Sequence, residues 1–200
     1  RFGVDAIIYF QDILTPLAPM GAEFVFAPGP MLTQAIRDVV DLDQLHTYDV
    51  ADELPFITET FRLVRAALDG TLPVLGFAGS PLTLLVFILE EGSFGAHAHK
   101  AILFLRDYPD VAHRLLEKLT EMTIDYLRLQ IAAGADAVQL FESAANLLSR
   151  AQYETWALPY QQRIIEALRG TVPTIIFARD WADAAHLKSS GADILSLSEK

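Results

Sequence analysis

Short apolar runs alternate along this chain with longer segments whose apolar residues recur every three or four positions, and that alternation restricts the fold more than any single residue does. The apolar runs are 4–10, 73–79, 135–141, 173–178 and 192–197. Between the first two, Leu54, Ile57, Phe61, Val64 and Leu68 share one helical face of a segment, 52–69, that closes at Asp69-Gly70. Further helices are expected over 95–106 and from Pro109 to Ala133, where Gly134 is the stop. Another starts at the capping-box spacing Ser149-Arg150-Ala151-Gln152 and ends near Gly170, and one more fills 181–189. Residues 23–30 read as a short extended piece ended by turn residues. Such alternation builds a parallel sheet covered by helices, either doubly wound or closed into a barrel.

The run Val4-Asp5-Ala6-Ile7-Ile8-Tyr9-Phe10 has the continuous apolar character of a strand buried on both faces. No linker, low-complexity tract or short repeat interrupts the pattern, so residues 1–200 are expected to form a single domain. A (β/α)8 barrel of the TIM type needs eight strands in roughly 250 residues. About five core strands are visible here. The economical reading is an α/β chain representing the incomplete, central portion of such a barrel, and a complete five-stranded open sheet is its competitor.

The strands end alike, in Gln11-Asp12, Gly79-Ser80, Glu142-Ser143, Arg179-Asp180 and Ser198-Glu199. In a barrel these positions share the carboxyl-end face, where active sites are built. Asp and Ser at strand ends also cap helices and form Asx turns, so each position has a structural reading beside the functional one. Asp12 is the most pointed case, a carboxylate where an apolar run gives way to a turn.

Composition removes several classes of function. The chain has no cysteine, which excludes disulfides, thiolate–zinc sites and cysteine nucleophiles within it. A formal charge of −11 argues against sequence-independent binding of nucleic acid, although local arginines can still hold a small anion. The apolar stretch Leu82–Leu89 is far shorter than the roughly 20 residues of a membrane span. No basic and then apolar leader opens the sequence, and the expected setting is cytoplasmic. His97-Ala98-His99 offers two metal ligands without a third and reads as surface histidines. Gly92-Ser93-Phe94-Gly95 follows a helix and lacks the flanks of a phosphate loop, while Tyr126 and Trp156 read as packing residues on helices.

Three strand-end motifs, taken in order, resemble the uroporphyrinogen decarboxylase family. They are Val4-Asp5-Ala6 with Phe10-Gln11-Asp12-Ile13-Leu14-Thr15-Pro16, then Gly76-Phe77-Ala78-Gly79-Ser80-Pro81-Leu82-Thr83-Leu84, then Ala133-Gly134-Ala135-Asp136-Ala137-Val138-Gln139-Leu140-Phe141-Glu142-Ser143. Ala157-Leu158-Pro159-Tyr160 resembles the pattern that follows, and the similarity extends over essentially the whole chain. The resemblance implies a (β/α)8 barrel, generally a homodimer, working without metal or organic cofactor. It implies removal of carboxyl groups from the four acetate side chains of uroporphyrinogen, giving coproporphyrinogen in haem biosynthesis. The family's central aspartate, which accepts hydrogen bonds from the pyrrole N–H groups, falls on Asp12. Its strand-end phenylalanine falls on Phe77, its serine on Ser143, and its active-site tyrosine position on Phe87.

The chain also departs from the family pattern. Phe87 lacks the tyrosine hydroxyl, Gln11 replaces a serine, Ala144-Ala145-Asn146 follows Ser143 in place of a bulkier residue, alanine and glycine, and Leu197-Ser198-Glu199 stands where Asp-Trp follows leucine. The family's arginine-rich amino-terminal segment and carboxyl-terminal histidine have no counterpart here, so the arginines facing the substrate's carboxylates are expected outside these 200 residues. Two other readings remain. A related corrinoid- or methionine-linked barrel methyltransferase would need zinc ligands from beyond this cysteine-free segment. A non-catalytic or altered-specificity relative would keep the barrel and bind another tetrapyrrole or a partner.

Overall fold

The computed structural model describes residues 3–34, 39–95, 98–181 and 183–197. β1 (Ile7–Ile8) is followed by an antiparallel hairpin of β2 (Phe24–Phe26) and β3 (Pro30–Leu32). Helices α1 (Val39–Asp43), α2 (Val50–Glu53) and α3 (Pro55–Leu68) lead to β4 (Val74–Gly79). Next come α4 (Pro81–Leu89), α5 (His99–Asp107), α6 (Pro109–Ala132) and β5 (Ala137–Glu142). The remainder is α7 (Arg150–Trp156), α8 (Leu158–Ala167), β6 (Thr174–Ala178), α9 (Ala184–Leu187) and β7 (Ile194–Leu197). Strands β1, β4, β5, β6 and β7 form one parallel sheet in that order. A doubly wound sheet reverses its strand order at a switch point, whereas a barrel lays each strand beside its predecessor. The order here has no reversal, and the sheet is a half-barrel, part of a (β/α)8 architecture.

Prolines divide two segments whose periodicity predicts single helices. Pro55 and Pro159 stand in the first turns of α3 and α8, so 52–69 becomes α2 and α3, and 149–170 becomes α7 and α8. Proline has no N–H to give to a preceding turn and fits only the start of a helix. Segment 181–189 is also shorter than expected, with α9 running directly into a 3₁₀ turn at Lys188–Ser190.

The first apolar run requires a larger correction. Only Ile7 and Ile8 are strand, and Val4 and Phe10 are 51% and 85% exposed. β1 has β4 alone as a neighbour and stands at the edge of the described sheet, so its apolar content does not mark burial on both faces. The pairing runs through Tyr9, whose amide donates to the Leu75 carbonyl at 2.7 Å, and then stops. Along β4 the odd residues direct their backbone groups toward β1, which leaves the amide and carbonyl of Phe77 without a strand to pair with. The Gln130 side chain on α6 supplies both bonds. Phe77 N–H donates to Gln130 Oε1 at 2.8 Å, and Gln130 Nε2 donates to the Phe77 carbonyl at 2.9 Å. Gly76 makes room for this, since a Cβ there would lie 2.5 Å from Gln130 Oε1.

The structure also exposes a repeat that apolar patterning does not bring out. Gly70-Thr71-Leu72-Pro73 leads into β4, and Gly170-Thr171-Val172-Pro173 leads into β6. In both, the glycine has positive φ and the threonine hydroxyl donates at 2.6 Å to a carbonyl three residues back, Leu68 or Leu168. Gly134-Ala135-Asp136 and Gly191-Ala192-Asp193 likewise precede β5 and β7. Asp136 accepts the Val74 amide of β4 at 2.7 Å, and Asp193 accepts the Thr174 amide of β6 at 2.8 Å. Each aspartate ties its strand to the one before it.

Candidate active site

Side chains alternate across the sheet. Val74, Gly76, Ala78, Val138, Leu140, Thr174, Ile176 and Ala178 are buried under the helices, while Leu75, Gln139, Phe141, Ile175 and Phe177 are half-buried on the concave side. Near the carboxyl ends of the strands, four phenylalanines form a row across that concave side. Phe10 stacks on Phe77 with centroids 6.1 Å apart, Phe77 meets the edge of Phe141 at 5.7 Å, and Phe141 meets Phe177 at 5.6 Å. Phe77 is covered by its neighbours, and Phe10 is the most open large apolar residue among those described.

Asp12 lies two residues beyond Phe10, at the edge of this row, and is exposed. Its Oδ1 accepts the Leu14 amide at 2.8 Å, and its carbonyl accepts the Thr15 amide at 3.1 Å, opening the 3₁₀ turn Thr15–Leu17. The turn-forming role is therefore present, but it engages one carboxylate oxygen and leaves Oδ2 open among the described residues. Asp12 lies within electrostatic reach of the buried Tyr126 phenol. Burial, and then the charges of Tyr9, Tyr48 and Asp12, push the Tyr126 hydroxyl well above the ordinary phenol range.

Ser143 lies two residues beyond Phe141 and is half-buried. Its amide donates to Thr83 Oγ1 at 2.8 Å, and that hydroxyl donates to Glu142 Oε1 at 2.7 Å. Glu142 is fully buried on the helix side of the sheet. It also accepts the Ala144 amide at 3.2 Å and Gln161 Nε2 at 3.1 Å, and Gln161 in turn accepts the Tyr153 hydroxyl at 2.8 Å. Burial raises the Glu142 pKa, while its donors oppose the rise. The Ser80 hydroxyl lies within electrostatic reach but makes no directed hydrogen bond. Glu142 is thus the acceptor that fixes the Ser143 backbone. In the sequence it stands as one more polar strand end, and an acid between a buried strand and a small residue was the available signal.

Phe87 makes no ring contact with the row. It is half-buried near the end of α4, with its ring against the edge of Phe94 at 4.8 Å. The loop after α4 is held by the hairpin, since the Leu32 amide donates to the Glu91 carbonyl at 3.0 Å and Met31 bridges Gly92. Of the paired histidines, His97 lies outside the described residues and His99 is exposed at the start of α5. Ser198 and Glu199 also lie outside the described residues. Tyr126 and Trp156 are buried packing residues, Trp156 stacking on His113 at 4.5 Å. Among the described residues no three metal-ligating side chains come together, and no helix is long and apolar enough to cross a membrane. An open depression of about 410 Å³ lies away from the strand ends, between α8 and 189–191. Its Arg163 and Arg169 are already paired with Glu117, Glu121 and Glu166.

A family model described as uroporphyrinogen decarboxylase (URO-D) matches residues 1–200. A uroporphyrinogen decarboxylase from a Geobacter species is 38% identical over 198 residues, covering 98% of this chain and 58% of that protein. One from Myxococcus xanthus is 39% identical over 201 residues, covering 98% and 57%. The chain therefore spans a little over half the length of these curated relatives. Among solved structures, a methyltransferase from Methanosarcina mazei superposes with a TM-score of 0.74 at 18% identity, covering 96% of this chain and 56% of that one. A B12-independent methionine synthase from a Shewanella species follows with a TM-score of 0.52 at 16% identity, covering 93% and 50%. At such identities these two structures speak for the barrel fold alone. The match of the family model along the whole sequence, with curated relatives near 38% identity, leads to one assignment: the chain belongs to the uroporphyrinogen decarboxylase family.

Proposed function

We propose that this chain forms part of a decarboxylase that removes carboxyl groups from the acetate side chains of uroporphyrinogen, yielding coproporphyrinogen without a cofactor. The observation that carries this reading is the row Phe10–Phe77–Phe141–Phe177, with a carboxylate at its edge and a hydroxyl above it. A tetrapyrrole is broad and apolar at its centre and anionic at its rim. A flat aromatic surface with few polar groups suits the centre. Protonation of a pyrrole carbon makes the ring cationic, and that ring accepts the electron pair released as the side-chain carboxylate leaves as carbon dioxide. Asp12 opposes the developing positive charge by accepting hydrogen bonds from the pyrrole N–H groups, which is electrostatic preorganisation with the sign opposite to an oxyanion hole. The Leu14 amide holds one oxygen in place, so Oδ2 is presented with little reorganisation. Ser143, fixed through Thr83 and Glu142, offers its hydroxyl to a substrate carboxylate.

Turnover of uroporphyrinogen by the protein carrying Asp12→Asn tests the assignment. The substitution keeps the side-chain oxygen that accepts the Leu14 amide and removes the charge. The expected loss is on the order of 100-fold or more in kcat, as for removal of a preorganised electrostatic partner. Undiminished decarboxylation would sink the role given to Asp12.

A further inference from the structure

The described arginines are almost all engaged. Arg62, Arg65, Arg106, Arg114, Arg128, Arg150, Arg163 and Arg169 each lie against a carboxylate. Arg179 is the exception among them, exposed and with no side-chain partner. In a chain of net charge −11 it is the one described arginine without an ion pair, even though Asp180 follows it in the sequence. Its location gives that a meaning. The Arg179 amide still donates to the Glu142 carbonyl at 3.0 Å, extending the ladder one residue beyond β6. The registered pairs end at Phe141–Phe177 and Glu142–Ala178, and continuing that register one residue into the turns sets Ser143 beside Arg179. Period-two alternation sets Ser143 on the side of Phe141 and Arg179 on the side of Phe177, which is the concave side bearing the phenylalanine row. A cation and a free hydroxyl thus stand together at the rim of an apolar platform, opposite the end occupied by Asp12.

Resting on the functional reading above, we propose that Arg179, with Ser143, binds a carboxylate on the periphery of the tetrapyrrole. A guanidinium gives a carboxylate two parallel N–H donors, and Ser143 can add a third hydrogen bond. This supplies from within the chain an arginine of the kind that the sequence alone places elsewhere. Arg179 acts in binding and orientation, not on the reacting carbon.

The test uses wild type, Arg179→Gln and Arg179→Lys, with steady-state turnover of uroporphyrinogen and equilibrium titration with uroporphyrin, an oxidised octacarboxylate that does not react. Arg179→Gln is expected to raise both KM and the uroporphyrin Kd by about tenfold at low salt, the effect of losing one charge-assisted contact. It should leave kcat within about twofold and weaken the salt dependence of binding. Arg179→Lys should recover part of the affinity, because it keeps the charge and loses the fork. The melting temperature should not move, since the side chain has no partner to lose. Unchanged KM and Kd in Arg179→Gln, with an active wild type, would overturn this assignment and leave the decarboxylase reading standing. So would a drop in kcat with binding unaltered. A wild type that neither binds uroporphyrin nor turns over uroporphyrinogen would overturn the functional reading and this assignment with it.

Discussion

β4 and β6 approach the sheet through matching turns, yet β4 carries a glycine, Gly76, where β6 carries a buried isoleucine, Ile176. The difference comes from the strands alongside. β6 lies between β5 and β7 and pairs along most of its length with both, so a branched side chain can fill the space under the helices. β4 lies beside β1, whose pairing ends at Tyr9, and Gln130 must reach in from α6 to serve the Phe77 backbone. The same contrast holds at the strand ends. After β4, Ser80-Pro81 launches the almost entirely buried α4, and Thr83 on it ties β5 down through Glu142. After β6, Arg179-Asp180-Trp181 leads to one short helix and leaves an exposed cation at the strand end. The lead-in to a strand is written in its own few residues, whereas its middle and end depend on what lies beside it.

The largest effect that would test this contrast is at Glu142. Glu142→Ala removes the acceptor for Thr83, Gln161 and the Ala144 amide in a fully buried site, at an expected cost of about 4 kcal/mol in urea unfolding. A cost under about 1 kcal/mol would mean that these donors find other partners and that β5 is not held from its carboxyl end. The pH dependence gives the same contrast a sign. Burial raises the folded-state pKa of Glu142 above its ordinary value of 4.5, so its contribution to stability is complete below that value and is lost as pH rises through the folded pKa. Asp193, which accepts two bonds from Thr174, is lowered below its ordinary 3.8, so its contribution is present above that value and lost as pH falls through the folded pKa. Unfolding of Glu142→Gln and Asp193→Asn across pH 3–8 should therefore depart from wild type in opposite directions.

Gly76→Ala comes next. Its methyl would meet Gln130 Oε1 at 2.5 Å and Val138 Cγ1 at 3.3 Å, and moving Gln130 away strands the Phe77 amide and carbonyl. The expected loss is about 2 kcal/mol. In a Gln130→Ala background the same change should cost at least 1 kcal/mol less, at the order-of-magnitude level such cycles resolve. Additive costs would show that Gly76 and Gln130 are not the coupled device that replaces β1.

Much of the fold was legible because the strands alternate with helices and the turns carry Gly, Pro and Asp at defined places. What the sequence hid is long-range. The apolar run at 4–10 has the residues of a central strand, and only the sheet order makes it an edge. The paired lead-ins escape hydrophobic patterning because it weights neither the threonine hydroxyls nor the aspartates that define them. Of the proposed site residues, Asp12 and Ser143 stand in the sequence as polar strand ends, and Phe77 comes from the family resemblance alone. That the Phe87 ring meets Phe94 depends on how the loop after α4 is pinned by the hairpin. Arg179 stands in the sequence only as one of five polar strand ends, because an arginine acquires further meaning when its neighbours' partners are known.

The smallest effect is also the most direct check that the two lead-ins are equivalent. Thr71→Val and Thr171→Val each remove a hydroxyl that donates to a carbonyl at 2.6 Å, and in both the carbonyl keeps the threonine's own amide as a donor, at 2.9 and 3.1 Å. Each carbonyl stays satisfied, so the cost is that of one net hydrogen bond, about 0.5–1 kcal/mol. The two turns share no partner, so the double variant should lose the sum of the two within about 0.5 kcal/mol. Equal and additive losses would mean that the turns act as independent copies of one local structure. A loss confined to Thr71 would mean that β4, lacking a full-length neighbour on one side, relies on its turn where β6 does not.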